Sequence, residues 1–525
     1  MYFPFIGYID IISIDEVIIM QENPDSLERL FQNNSILRNK IRGLPNLGTR
    51  LGNDSFSPEV RKIYDAFSIY GNDLYQLEND YIKTMETKSL GGGSPMKTPI
   101  FPLCKQKMLE AINSDDMSEY PLAAGDEESR REIVKYLEKE GFQSPRQLNE
   151  DNIIFTVSTT QAFNIVMKVI AKPFDVVLMT GPNYGLFTFV PERSIGATVE
   201  ILPLSEEDDW YVNPQKLASR IDELNDELKV KYSGKLDYIP RVVAFLNENP
   251  HNPLGKVMNN NNRNLLNQIG EVCLNKGVFV IDDIIYRDLT YDREDLSLPM
   301  ASNERYFDNT ITMTGLSKSF GLASLRSGMI IANEAIIRGV RNYIFQTMDS
   351  SPILQGKALA GAFNASNIRY KEYDNYFNSI IREYKYRLEL LKAMIEGIDT
   401  IEDGKVREQI EIDIRKYASS DFSLTSLMDG IPDVHFVNKT MPESGFFALL
   451  DYSKLKGKEA DGRIITSEIE LLKYMYEQER IKIILGQSIS YPNEEQLIGR
   501  VTTALEREDI VDHIGAMNKC LRKLR

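Results

Sequence analysis

TMTGLSKSFGLASLRSG, residues 312–328, holds one lysine in a Ser-Lys-Ser setting and an arginine eight residues further on. The apolar run Thr310–Met313 before it reads as a strand, and Met329–Ala332 after it reads as another. Lys318 therefore falls on a loop at the carboxyl end of a strand, where open α/β sheets place their ligands. A lysine amine is a nucleophile toward aldehydes. Arg326 is close enough in sequence to hold a phosphate in the same site with its two-pronged guanidinium. Read alone, the pair also fits two exposed cations on a turn.

Working outward from this stretch, short β-branched runs alternate with polar segments of helical pattern. Ile153–Val157, Val176–Thr180, Val199–Leu202, Val242–Leu246 and Val278–Asp282 join the two strands above to make seven candidates. Arg130–Lys139, Gln161–Ala171 and Arg263–Lys276 are helix-patterned, and Asp208–Arg241 is a charged helical excursion. Such alternation predicts an α/β fold: a large domain, residues 101–370, with a mostly parallel seven-stranded sheet between helices. After residue 370 the pattern changes to a long helix (Arg369–Gly397) and a charged stretch (Asp399–Asp433). GFFALLDYS and IKIILGQ then read as strands, Glu468–Glu479 as a helix, RVTTAL as an edge strand and Asp509–Leu524 as a closing helix. This predicts a smaller α+β domain of residues 89–100 and 371–525, with 399–433 as an insertion. Residues 1–88 read as a mainly helical extension with no functional signature. Within it, Ser26–Arg42 and Pro58–Lys88 carry helical periodicity.

Composition narrows the function classes. A net charge of −16 argues against nucleic acid as a partner. The three cysteines (Cys104, Cys273, Cys520) and three histidines (His251, His435, His513) share no metal-ligand spacing, so no metal site is expected and a reducing compartment is. The apolar N-terminus MYFPFIGYIDIISIDEVIIM is broken by Asp10, Asp15 and Glu16, which suits neither a secretion signal nor a membrane span. The expectation is a cytoplasmic protein with no membrane partner.

Four further motifs follow candidate strands, as a shared ligand site requires. In VIDDIIYRDL, Asp283 and Tyr286 have a D-x-x-Y spacing, and a carboxylate there could pair with a protonated ring nitrogen. In NENPHNPLGKV, two Asn-Pro pairs around a glycine make a rigid turn that could present the Asn252 amide to a ligand oxygen. FTVSTTQAF ends a strand and opens a helix, so Ser158, Thr159 and Thr160 could bind phosphate; an ordinary N-cap reads the same way. Tyr184 in TGPNYGLF could stack on a planar ring or pack within its loop. SLGGGSPMKTPIFP reads either as a flexible linker or as backbone that approaches a ligand closely.

Together and in this order, these motifs resemble the class I/II aminotransferases of the aspartate aminotransferase superfamily, over roughly residues 88–525 and poorly over 400–436. The resemblance implies pyridoxal 5′-phosphate as cofactor. Lys318 would be the Schiff-base lysine and proton shuttle, and Arg326 the phosphate-binding arginine. Ser158, Thr159, Thr160 and Ser317 would add phosphate contacts. Asp283 would pair with the pyridine nitrogen, Tyr286 and Asn252 would bind the ring hydroxyl, and Tyr184 would stack on the ring. Tyr120 matches a tyrosine that reaches the phosphate of the neighbouring subunit, which implies a homodimer with shared active sites. Gly93 would line the substrate side, and Arg500 would bind the substrate α-carboxylate. Amino acids and 2-oxo acids would be the substrates. The same scaffold also serves lyases and decarboxylases that act on amino acids, the alternative reading.

The chain departs from the family pattern at Gly315, where a serine or threonine is usual, at Ser324, where a glycine is usual, and in the stretch 399–433.

Overall fold

The computed structural model describes residues 62, 63, 66, 87–367 and 371–525. The helical periodicities read at Ser26–Arg42 and through most of Pro58–Lys88 lie outside the described residues. Helices α1 (Pro102–Ile112) and α2 (Glu127–Lys139) lead into the first strand of a seven-stranded sheet. Its strands are β1 (Ile153–Thr156), β2 (Val176–Gly181), β3 (Thr198–Pro203), β4 (Val242–Glu248), β5 (Phe279–Asp283), β6 (Thr310–Gly315) and β7 (Gly328–Ala332). The spatial order is β1-β7-β6-β5-β4-β2-β3, and only β7 runs antiparallel to the rest. Every residue of β2, β4 and β6 is buried, which is why β2 and β4 open on continuous apolar runs; β6, TITMTG, alternates threonine with Ile and Met although both its faces are covered.

The helices that connect the strands bury them. α3 (Thr159–Ile170), α4 (Pro214–Tyr232) and α5 (Arg263–Lys276) lie between strands, and α6 (Glu334–Met348) and α7 (Ile353–Ala362) follow the last one. Leu217 and Ile221 of α4 and Leu266 and Ile269 of α5 pack with Leu178, Phe245 and Val280 of the sheet. Ile133 and Leu137 of α2 and Leu359 of α7 pack with Phe155, Met329 and Ile331. The parallel strands β2, β4, β5 and β6 thus release their carboxyl ends on one edge of a covered sheet, which is what gathers the motifs.

The smaller part is built on α8 (Lys371–Glu396), α9 (Gly404–Tyr417), α10 (Glu468–Glu479) and α11 (Arg507–Leu521). They share a core with a four-stranded antiparallel sheet of β8 (His435–Phe436), β9 (Phe447–Asp451), β10 (Ile484–Leu485) and β11 (Ile498–Thr502), ordered β10-β11-β9-β8. Two readings are corrected here. RVTTAL is not an edge strand: β11 lies between β9 and β10, and all five of its residues are buried. IKIILGQ is not one strand. Ile481–Lys482 pairs in parallel with Lys88–Ser89, and Ile484–Leu485 joins the other sheet. Pairings of two residues are too short to leave a periodic signal in sequence.

Candidate active site

The strand ends converge on a cavity of about 300 Å³ lined by Gly93, Ser158, Thr159, Thr160, Tyr184, Asn252, Asp283, Tyr286, Ser317, Lys318 and Arg326. Lys318 follows β6, and its Nζ donates to the Gly93 carbonyl at 2.6 Å. The GGGS stretch is thus the close-approach backbone and not a free linker. Asp283 is the last residue of β5, and its Oδ1 accepts the Ile285 N–H at 3.0 Å. Tyr286 is buried against the edge of Phe446, with ring centroids 5.7 Å apart. Asn252 is buried in the turn after β4, and its Oδ1 has no hydrogen-bond partner among the described residues. Tyr184 meets Phe187 edge to face at 5.1 Å. Ser158 plays both roles read for it: it caps α3 by accepting the Gln161 N–H at 3.0 Å, and it lines the cavity.

Two glycines set the phosphate end. A Cβ on Gly328 would lie 2.7 Å from the Ser158 carbonyl carbon and 2.9 Å from the Thr159 nitrogen, so glycine lets β7 touch the start of α3. Arg326, two residues earlier, is thereby held beside the helix N-terminus, where backbone N–H groups favour an anion. Arg326 has φ 57°, a left-handed conformation rare for arginine and typical of strained functional positions. Gly315, the departure noted above, has a physical cause: a Cβ there would lie 2.4 Å from the Ser327 carbonyl oxygen. Restoring the hydroxyl with Gly315→Ser is expected to destabilise the protein by about 1–3 kcal/mol through overpacking, read as a lower urea midpoint.

Two residues stand outside the cavity lining. Arg500, on β11, is buried, donates from Nη2 to the Gly91 carbonyl at 3.2 Å and stacks over Phe447 at 4.2 Å. Its charge still reaches Lys318, Tyr184 and Tyr286. Tyr120 is 88% exposed and does not face the cavity of its own chain. The sequence reading missed Glu248, Ser94, Phe187, Pro250, Ile285 and Ala323, all of which line the cavity. Glu248 left one signal, a charge at the end of the otherwise uncharged buried strand VVAFLNE.

Burial, then the nearby Arg500 charge, pushes the Lys318 amine down to about 8. Asp283 works against this shift and Arg326 adds to it. Burial pushes the Asp283 carboxyl up to about 7, against the stabilising Ile285 N–H. Burial also raises the Tyr184 and Tyr286 phenols. Since the neutral amine is the nucleophile, the rate at which the cofactor-free protein captures an aldehyde should rise with pH to a plateau. Its midpoint should lie near 8, and a midpoint at an ordinary lysine value of about 10.4 would contradict the buried environment.

An aldehyde-bearing, anionic heterocycle fits this donor set. An amine poised to react, a carboxylate, an amide with an unused oxygen and a cationic phosphate end face one space. Residues 94–406 match the family described as "Aminotransferase class I and II". Over 319 residues the chain is 24% identical to a human kynurenine–oxoglutarate transaminase, which covers 59% of this chain and 65% of that enzyme. The chain thus spans slightly less than two thirds of that relative. It is 30% identical over 194 residues to a cystathionine beta-lyase of Bacillus subtilis, 37% of this chain and 45% of that one. An aminotransferase structure from Escherichia coli superposes with a TM-score of 0.65 at 17% identity, over 86% of this chain and 95% of that one. With a family match over more than half its length laid on the sheet and cavity described above, the chain belongs to the class I and II aminotransferases, whose cofactor is pyridoxal 5′-phosphate.

Proposed function

We propose that this protein is a transaminase that moves an amino group between an amino acid and a 2-oxo acid. One observation carries the reading: Lys318, an amine of lowered proton affinity, shares a cavity with the buried carboxyl of Asp283. Pyridoxal 5′-phosphate, when bound, supplies an aldehyde for an amine and a ring that accepts electrons. Arg326, Ser158, Thr159, Thr160 and Ser317 hold its phosphate. Asp283 pairs with the ring nitrogen, Tyr286 and Asn252 bind the ring hydroxyl, and Tyr184 covers a ring face. Gly93 borders the substrate, and Arg500 takes the substrate α-carboxylate as a bidentate pair. Lys318 Nζ would take up and hold the proton of the substrate's Cα.

The assembly in this reading is a homodimer with shared sites. Its support is Tyr120, which is exposed in the single chain together with Met117 and Leu122. The domain division is residues 101–370 for the cofactor-binding part and 89–100 with 371–525 for the smaller part. A cytoplasmic location is supported by three cysteines that are all free and buried. No helix among the described residues is long and apolar enough to cross a membrane.

A lyase or decarboxylase on the same scaffold is the second reading, favoured by the similarity to the Bacillus subtilis lyase. Mixing the purified protein with single amino acids in the absence of 2-oxo acid separates the two. One equivalent of 2-oxo acid per site, with conversion of the cofactor's absorbance, is the expected result. Repeated release of ammonia or carbon dioxide would replace the transaminase reading with the second one.

A further inference from the structure

Glu248 has no role in the family reading above, yet it lies at the centre of the site. It is the last residue of β4 and stands in register with Asp283, the last residue of β5. Adjacent parallel strands bring two in-register residues to about 5 Å. Glu248 lines the cavity of Lys318 and also a small second chamber behind it, together with Trp210, Tyr211, His251 and Lys256. It is buried, and its Oε2 has no hydrogen-bond partner among the described residues. The Tyr184 backbone N–H serves the carboxyl group.

Two carboxyls buried side by side cannot both be ionised without a nearby cation to balance them. The groups facing Glu248 decide which one keeps the proton. From its own turn, His251 Nε2 is 4.0 Å from Oε2, but burial pushes that imidazole down to about 3, so it is neutral and forms no ion pair. Across the chamber, Lys256 is occupied by Asp209 at 2.8 Å, and burial raises the Tyr211 phenol. From the cavity side come Asp283, Tyr286 and the more distant Arg500. Asp283 has the Ile285 N–H and the Lys318 charge in its favour. Glu248 has the Tyr184 N–H and Arg500, set against burial and the charge of Asp283.

We propose that Glu248 is a positioning residue of the cofactor pocket: it is the neutral, proton-holding member of a carboxyl pair whose charged member is Asp283. The proposal rests on the assignment of Asp283 to the ring nitrogen. With Glu248 neutral, the pocket floor carries one negative charge, placed on the carboxylate that faces the ring, and a second is not forced into the same buried space.

Trp210 is the sole tryptophan of the chain and lines the chamber with Glu248, so its emission reports the charge there. The experiment is a fluorescence titration of the cofactor-free full chain, carried upward in pH from neutrality and below it as far as the protein stays folded, on wild type, Glu248→Gln and Asp283→Asn. Wild type is expected to show a step as Glu248 loses its proton, alongside any from Asp283 and Lys318 in the same cavity, and the two variants identify which step is Glu248's. Glu248→Gln, nearly isosteric, should lack the step. Asp283→Asn, which removes the like charge, should keep the step and move its midpoint down by about one pH unit. A Glu248→Gln titration that keeps every wild-type step, no step in wild type, or a midpoint unmoved in Asp283→Asn would each overturn the proposal. Adding pyridoxal 5′-phosphate to the same samples tests the underlying reading separately. Absence of a visible cofactor band in wild type would sink the site assignment, whatever Trp210 reports.

Discussion

Lys318→Ala is expected to lower turnover by at least about 10⁴-fold, the largest effect of any single change in this protein. The lysine is assigned two tasks, covalent hold on the cofactor and transfer of the Cα proton, and alanine performs neither. The fold should survive, because the Lys318 amine serves it through one hydrogen bond to the Gly93 carbonyl. The phosphate end, set by Arg326 and the start of α3, is untouched by the change, so the variant should still bind pyridoxal 5′-phosphate non-covalently. Borohydride should therefore fix the cofactor to wild type and not to the variant. Small primary amines added to the solution should restore part of the activity, since they can occupy the emptied space and accept the proton. A variant that turns over at a wild-type rate would remove Lys318 from the mechanism.

Asp283→Asn should cost about 10³-fold in rate, comparable to losing one preorganised electrostatic partner of a transition state. The amide can replace the acceptor of the Ile285 N–H but cannot balance a positive ring nitrogen. The same substitution should stabilise the cofactor-free protein. The Asp283 carboxyl is raised in the folded state to about 7 from its ordinary value of 3.8, so above 3.8 the unfolded state carries fewer protons at this site. Stability therefore falls as pH rises through that window, and the cost is complete above about 7. Asparagine removes that cost, worth up to roughly 4 kcal/mol at the upper end of the window. Urea unfolding of the two apoproteins at low and high pH measures it: the variants should agree in acid and diverge toward alkaline pH. Equal stability at every pH would mean that Asp283 is not held in a strained, desolvated state.

The sheet and most of the site were legible because the same physics wrote both. Fully buried parallel strands favour apolar and β-branched runs, so β2 (VVLM), β4 (VVAFL) and β6 (TITM) announce their own ends, and Tyr184, Asn252 and Lys318 each follow such an end. Arg500 was legible only through resemblance. Its strand is flanked on one side by the two-residue β10, and so short a partner leaves no pattern. Glu248 was hidden for a different reason. It sits inside a turn motif rich in Asn and Pro, where an acidic residue looks like ordinary polar punctuation. Its meaning comes from a neighbour 35 positions later, Asp283, which only the strand register supplies. Gly315 stood out only as a departure from the family pattern, and its cause, the close approach of β6 to the residue before β7, needs the strand pairing to be seen.

The short pairing near residue 88 has a further consequence. The Leu90 N–H donates to the Lys482 carbonyl at 2.8 Å, and the Leu90 carbonyl accepts the Thr502 N–H at 2.8 Å. Leu90 is therefore moored to two strands of the smaller part, one of which carries Arg500 two residues before Thr502. Three residues on, Gly93 reaches across to Lys318. The glycine run is a spacer of fixed length between the arginine that would capture a substrate and the lysine that would react with it. Each residue added or removed there changes the reach by about 3.3 Å, so an insertion would detune the gap between capture and chemistry while leaving every catalytic side chain intact.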